Sequence, residues 1–124
     1  MILDHVGFPV ANLKRSRDFY TKALAPLGVE VVLEGDRWVL LGRDGKGELL
    51  LGLQGHPPGS IHLAFRAQTR EQVRQFYLAA LASGGREEGV PGMRSQHLSN
   101  YYGAFVLDPD GHRIEVVCHT PSEL

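Results

Sequence analysis

Two stretches decide the fold: His5-Val6-Gly7-Phe8-Pro9-Val10 and His62-Leu63-Ala64-Phe65-Arg66-Ala67, which align when the sequence is shifted by 57 residues. The same shift pairs Arg17 with Arg74, Phe19 with Phe76, Tyr20 with Tyr77, Ala23 with Ala80, Leu24 with Leu81, Ala25 with Ala82, Gly28 with Gly85 and Glu30 with Glu87. With His5/His62 and Phe8/Phe65, ten identical pairs fall within positions 5–30 without a gap. A repeat of this length means that one supersecondary unit is used twice, and two such units usually meet about a pseudo-twofold axis. A histidine at the same point of each unit is then placed to approach its copy near that axis.

Each unit opens with a strand. Alternation over 2–10 and 60–67 puts Val6, Phe8 and Val10 on one face, as it does Ile61, Leu63, Phe65 and Ala67. The other face holds His5, Gly7 and Pro9, or His62, Ala64 and Arg66, where the small residues leave room for a ligand. A helix follows in each. Asn12 and Thr69 are N-cap residues, the second with Gln72 three positions on as a capping box. Phe19, Tyr20, Ala23, Leu24 and Leu27 recur at helical spacing, as do Val73, Phe76, Tyr77, Ala80 and Leu81, and both stripes read as core. Gly28 and the Gly84-Gly85 pair supply the left-handed stops.

Three strand-like stretches follow each helix: 30–33, 38–42 and 48–54, then a less regular 86–97, 101–107 and 112–119. Arg43-Asp44-Gly45 and Asp108-Pro109-Asp110-Gly111 mark the last hairpin turns. The prediction is an α+β chain of two β-α-β-β-β modules, one at about 1–55 and one at about 60–119. His56-Pro57-Pro58-Gly59 links them, since paired prolines cannot sit inside a strand ladder. The polar, glycine-containing run 84–100 is expected to loop over the mouth of a cavity.

Composition narrows the function. A chain of 124 residues, 43% hydrophobic, can bury one core, so one domain over 1–124 is expected. Net charge near −1 gives no footprint for nucleic acid or an anionic membrane. The single cysteine, Cys118, excludes an internal disulfide and fits a reducing compartment, and no long apolar run or leader pattern is present. The expected location is the cytoplasm.

The paired modules, the strand-opening His5 and His62, the helix start Asn12-Leu13-Lys14-Arg15-Ser16-Arg17-Asp18-Phe19-Tyr20 and the ending Phe105-Val106-Leu107-Asp108-Pro109-Asp110-Gly111-His112-Arg113-Ile114-Glu115 resemble the vicinal oxygen chelate superfamily. That group includes glyoxalase I, extradiol dioxygenases, fosfomycin resistance proteins and the bleomycin resistance protein. The resemblance spans the chain and is nearest to uncharacterised bacterial glyoxalase-like proteins. It implies a curved mixed sheet forming an open, cup-like barrel, a homodimer, and one divalent metal (Fe2+, Mn2+, Ni2+ or Zn2+) that chelates a small substrate with vicinal oxygens. Carried over by position, the metal ligands are His5, His62 and Glu115, a two-histidine, one-carboxylate set that suits these ions.

This chain departs from the family pattern twice. The first-module partner of Glu115 falls on Leu49 or Leu51, which cannot ligate, and Glu48 has the opposite strand parity and reads as solvent-exposed. The place ten residues before the carboxylate, a tyrosine in dioxygenases and fosfomycin transferases, is Phe105, assigned here to the substrate wall. Tyr101 shares its parity and is the candidate phenol, His97 in the mouth run is a candidate general base, and Arg66 is placed to pair with a substrate anion. His56, His112 and His119 read as surface. The expected activity is that of a glyoxalase- or dioxygenase-like metalloenzyme. The alternative is a non-catalytic protein that sequesters a small molecule or antibiotic.

Overall fold

A computed structural model describes residues 4–53, 61–94 and 100–121. Module one runs β1 (Val6–Pro9), α1 (Leu13–Ala23), a 3-10 turn (Ala25–Leu27), β2 (Glu30–Glu34), β3 (Trp38–Arg43) and β4 (Lys46–Gly52). Module two runs β5 (His62–Arg66), α2 (Arg70–Ala82), β6 (Arg86–Met93), β7 (Tyr102–Leu107) and β8 (Arg113–Cys118). The modules form two four-stranded mixed sheets with the same plan, β1-β4-β3-β2 and β5-β8-β7-β6, in which the first strand lies parallel to the last.

Local chemistry accounts for the elements. The Asn12 side chain accepts the Arg15 N–H at the start of α1, and Thr69 and Gln72 form a reciprocal capping box on α2. Gly28 closes the first helical unit at φ +82°, in the left-handed region that glycine enters at least cost. Asp44 and Gly45 both have positive φ and join β3 to β4 as a two-residue hairpin, whose hand matches the twist of the flanking strands. The run after α2 differs from the loop expected over 84–100. Its first half is β6, paired with β7 through two register shifts: Arg86, Glu87, Gly89, Gly92 and Met93 all find ladder partners, and the residues between them bulge.

The core lies between the sheets and the helices. Phe19, Tyr20, Ala23 and Leu24 of the first helical unit, and Val73, Phe76 and Ala80 of α2, are buried against Val39, Leu41, Leu51, Val106, Ile114 and Val116. α1 and α2 pack on each other, so the opposite face of each sheet is left open. These open faces carry His5, Gly7, Leu40 and Leu50 in module one, and His62, Ala64, Phe105 and Glu115 in module two.

Register settles the residue equivalent to Glu115. Gly7 pairs with Leu50 and Ala64 pairs with Glu115, so the counterpart is Leu50, not Leu49 or Leu51, which are buried in the core. Glu48 therefore shares the parity of that position, is half-buried, and lies 3.9 Å from Lys46. The difference from the expected Leu49 or Leu51 comes from a register shift at Leu41/Gly42 in the β3–β4 hairpin, which moves the later strand by one residue.

The turn 108–112 ties the modules together. Asp108 accepts hydrogen bonds from the Tyr20 hydroxyl (2.5 Å) and from the backbone N–H groups of Asp110 and His112 (2.9 and 2.8 Å). Asp110 accepts from the Ala11 N–H, from Arg15 and from the Ser16 hydroxyl at 3.2–3.3 Å. Burial, then the facing Asp108 carboxylate, pushes the Tyr20 phenol far above its ordinary value. His112, expected at the surface, is buried: its Nδ1 accepts the Ile61 N–H at 3.2 Å and its ring packs edge-on against Phe8 at 4.9 Å.

Candidate active site

β5, β7 and β8 bring three polar side chains together on the open face of module two. β5 lies parallel to β8 with Ala64 opposite Glu115, so His62, two residues earlier on the same face, leans toward the Glu115 carboxylate. β7 runs antiparallel on the other side with Phe105 opposite Glu115, and Tyr101 just precedes it. Glu115 is only 2% exposed, and a buried carboxylate is costly unless it is hydrogen-bonded. Both its oxygens are engaged: Oε1 lies 3.0 Å from His62 Nε2, and Oε2 accepts a short hydrogen bond from the Tyr101 hydroxyl. Burial and this bond to a carboxylate push the Tyr101 phenol up to about 12, so it remains a proton donor at neutral pH.

These groups line a cavity of about 650 Å³, a volume within the range of small-molecule sites. Phe105 forms part of the wall. So do two arginines that the sequence did not single out. The Arg113 guanidinium lies 4.3 Å from the centre of the Phe105 ring and that of Arg94 lies 5.5 Å from it. Gly89 makes room for Phe105 and Arg94: a Cβ there would stand 2.9 Å from the Phe105 ring and 3.2 Å from an Arg94 nitrogen. Arg113 shares the Glu115 face two residues earlier, a signal that parity alone contains. Arg94 comes from the connection into β7, which periodicity does not describe.

Other expected site residues lie elsewhere. His5 is not in the cavity. It is exposed at the start of module one, with Nδ1 2.8 Å from the Asp4 carboxylate, so a single chain does not bring it to His62 and Glu115. The reason is the packing of α1 on α2, which keeps the open faces on separate sheets. Arg66 is exposed on the outer strand β5 and does not line the cavity. His97 and the linker 56–59 fall outside the described residues. His119 is half-buried, with its ring edge-on to Tyr101 at 5.3 Å.

A second group has ligating side chains within reach of one ion: atoms of Asp108, Asp110 and His112 lie within 4.8 Å of one another. All four carboxylate oxygens there already accept hydrogen bonds, and the His112 Nδ1 does too. The tautomer that accepts at Nδ1 carries its hydrogen on Nε2 and offers no lone pair to a metal there. The hydrogen bonds give this group a structural part in joining the turn to α1 and β5, while its ligating atoms stay within reach of one ion.

Residues 2–116 match the model of the Glyoxalase/Bleomycin resistance protein/Dioxygenase superfamily. The chain belongs to this family. Among solved structures it resembles a glyoxalase/bleomycin resistance protein from Albidiferax ferrireducens T118, at 28% identity over 98% of this chain and 100% of the other, with a TM-score of 0.83. A putative glyoxalase from Bacillus halodurans is 26% identical over 94% and 95% of the two chains, with a TM-score of 0.72. A glyoxalase I mutant from Zea mays shares the fold at 22% identity and a TM-score of 0.69, with 93% of this chain matching 46% of that one. No curated protein sequence matches the chain. Among the described residues no helix is long and apolar enough to cross a membrane.

Proposed function

We propose that this family member is a cytoplasmic, homodimeric metalloenzyme acting on a small substrate with vicinal oxygens, in the manner of a lyase or dioxygenase. The observation that carries this reading is the 3.0 Å separation of His62 Nε2 and Glu115 Oε1 at the cavity wall. Two donors that each bind one ion at about 2.1 Å and at right angles stand about 3.0 Å apart, so the pair has the spacing of adjacent ligands. Two ligands are one short of the usual protein set. His5 of a second copy is the proposed third, since it holds the repeat-related position and is exposed. Bound there, a divalent ion supplies Lewis acidity toward paired substrate oxygens. Tyr101 holds its proton beside Glu115 and donates it to substrate oxygen, while Phe105 keeps water from one wall.

Calorimetry with Fe(II), Mn(II), Ni(II) and Zn(II) on protein purified without chelator tests the site. One tight site per chain is expected, abolished by His62→Ala, Glu115→Ala or His5→Ala. Mixing equal amounts of the His5→Ala and His62→Ala variants should restore about a quarter of the sites, because random exchange makes about half of the dimers mixed and one face of each mixed dimer keeps all three ligands. Binding should weaken in acid, since imidazole must be unprotonated to ligate and the proton competes with the ion. With Leu50 in place of a fourth ligand, rapid turnover of a methylglyoxal–glutathione adduct is not expected. One observation favours the non-catalytic alternative: His62 and Glu115 satisfy each other without an ion. A larger aromatic ligand bound equally well with and without metal, two per dimer, would establish that alternative.

A further inference from the structure

The wall of the cavity carries more positive charge than the metal reading uses. Arg113 is half-buried, its Nε is buried without a hydrogen-bond partner, and its side chain makes no ion pair among the described residues. Leaving a buried charged donor unsatisfied is expensive, so such a group marks a place where something else supplies the acceptor. Glu115 does not serve, because its oxygens face His62 and Tyr101 and it makes no ion pair with Arg113. Stacking over Phe105 at 4.3 Å fixes the guanidinium plane and leaves the rim of N–H donors free to grip a planar or tetrahedral oxyanion.

Arg94 reinforces the charge. Its guanidinium lies over the same ring at 5.5 Å and is steadied by one bond to the Val90 carbonyl. Two guanidiniums over one aromatic ring, in a cavity of about 650 Å³, offset the Glu115 carboxylate and offer an oxyanion two charged partners. Glu88 also borders the cavity but is exposed on β6, where solvent screens it.

We infer that the cavity takes a substrate bearing an oxyanion, a carboxylate or a phosphonate, held by Arg113 and Arg94 next to the vicinal oxygens. The inference deepens the proposed function and rests on it for the vicinal oxygens alone. Its test uses glycolate, hydroxymethylphosphonate and glycolamide, three probes of similar size of which the third is neutral. In NMR titrations of the metal-free protein at fixed ionic strength, at least one anion should bind about tenfold more tightly than glycolamide, as expected for hydrogen bonds to a charged group. The tighter of the two anions names the class. Arg113→Gln should remove most of that preference and Arg94→Gln part of it, with metal affinity not reduced in either, since each change removes a positive charge beside the cation site. Arg113→Lys, which keeps the charge and loses the fork, should fall between.

Equal binding of glycolamide and both anions to the wild type would overturn the inference, and needs no variant to fold. So would a preference untouched by either glutamine substitution. Anion preference that depends on Arg113 in a protein without metal affinity would overturn the metal reading and leave this one standing. Tight metal binding with charge-indifferent probes would do the reverse.

Discussion

In module two His62, Phe105 and Glu115 occupy the open face, and in module one the same register positions hold His5, Leu40 and Leu50. The strand order, the parallel closing pair and the helix beneath are shared. The connections differ. β2 passes to β3 through residues 35–37, whereas β6 passes to β7 through residues 94–101. The longer connection begins with Arg94 and ends with Tyr101, two of the groups that make the cavity. The duplicated frame therefore supplies positions, and the two copies differ in what fills them: Leu40 and Leu50 against Phe105 and Glu115, and a short connection against a long one. The other copy presents Leu33, 60% exposed, beside Leu40 and Leu50, a face suited to covering a site.

The sharpest way to break this comparison is Glu115→Leu, which gives module two the residue of module one. Metal affinity should fall by at least about a hundredfold, since one of three ligands is lost, and calorimetry reads it. An effect of similar size, but on the whole fold, is expected from Asp108→Ala. Three accepted hydrogen bonds disappear and the buried Tyr20 hydroxyl loses its acceptor, so stability should fall by about 3 kcal/mol in denaturant titrations. The reverse exchange, Leu50→Glu, should raise metal affinity about tenfold in the dimer by restoring a fourth ligand; unchanged affinity would show that the two open faces do not meet around the ion.

The smallest effect is a titration. Tyr101 ionises at about 12, above the ordinary 10, because of burial and then the bond to Glu115. A raised value favours the folded, protonated form, so the contribution is complete below about pH 10 and is lost as pH rises toward 12. Ultraviolet titration should show this late phenol in the wild type and an earlier one in Glu115→Gln, by the part that the carboxylate provides.

What the sequence makes legible is whatever a short window decides. The helices, their caps at Asn12 and Thr69, the Asp44-Gly45 turn and the facing of Glu115 all depend on neighbours within a few residues. The equivalence of Leu50 was out of reach because a register shift at Leu41/Gly42 has no signature in the alternation. His5 is legible as a strand-opening residue, but its distance from Glu115 depends on how the two helices pack, which the repeat does not specify. Arg113 shows the same limit from the other side. Its parity was plain, yet its role rests on a missing partner and on Phe105, a residue on another strand. His112 reads as a surface residue in sequence because the groups that bury it, Phe8 and the Ile61 N–H, lie far from it along the chain.

The clasp at Asp108 and Asp110 has a consequence for how the protein is made. The N–H of Ala11 and the hydroxyls of Ser16 and Tyr20 find their acceptors 88 to 99 residues further along the chain. A ribosome releases the first module well before it releases the turn that closes it. Module one therefore emerges with its helix start unfinished and a phenol lacking its partner, and contacts this distant in sequence form late. Its final shape is deferred until the closing turn clears the exit tunnel, so premature termination before residue 108 leaves neither half of the repeat complete.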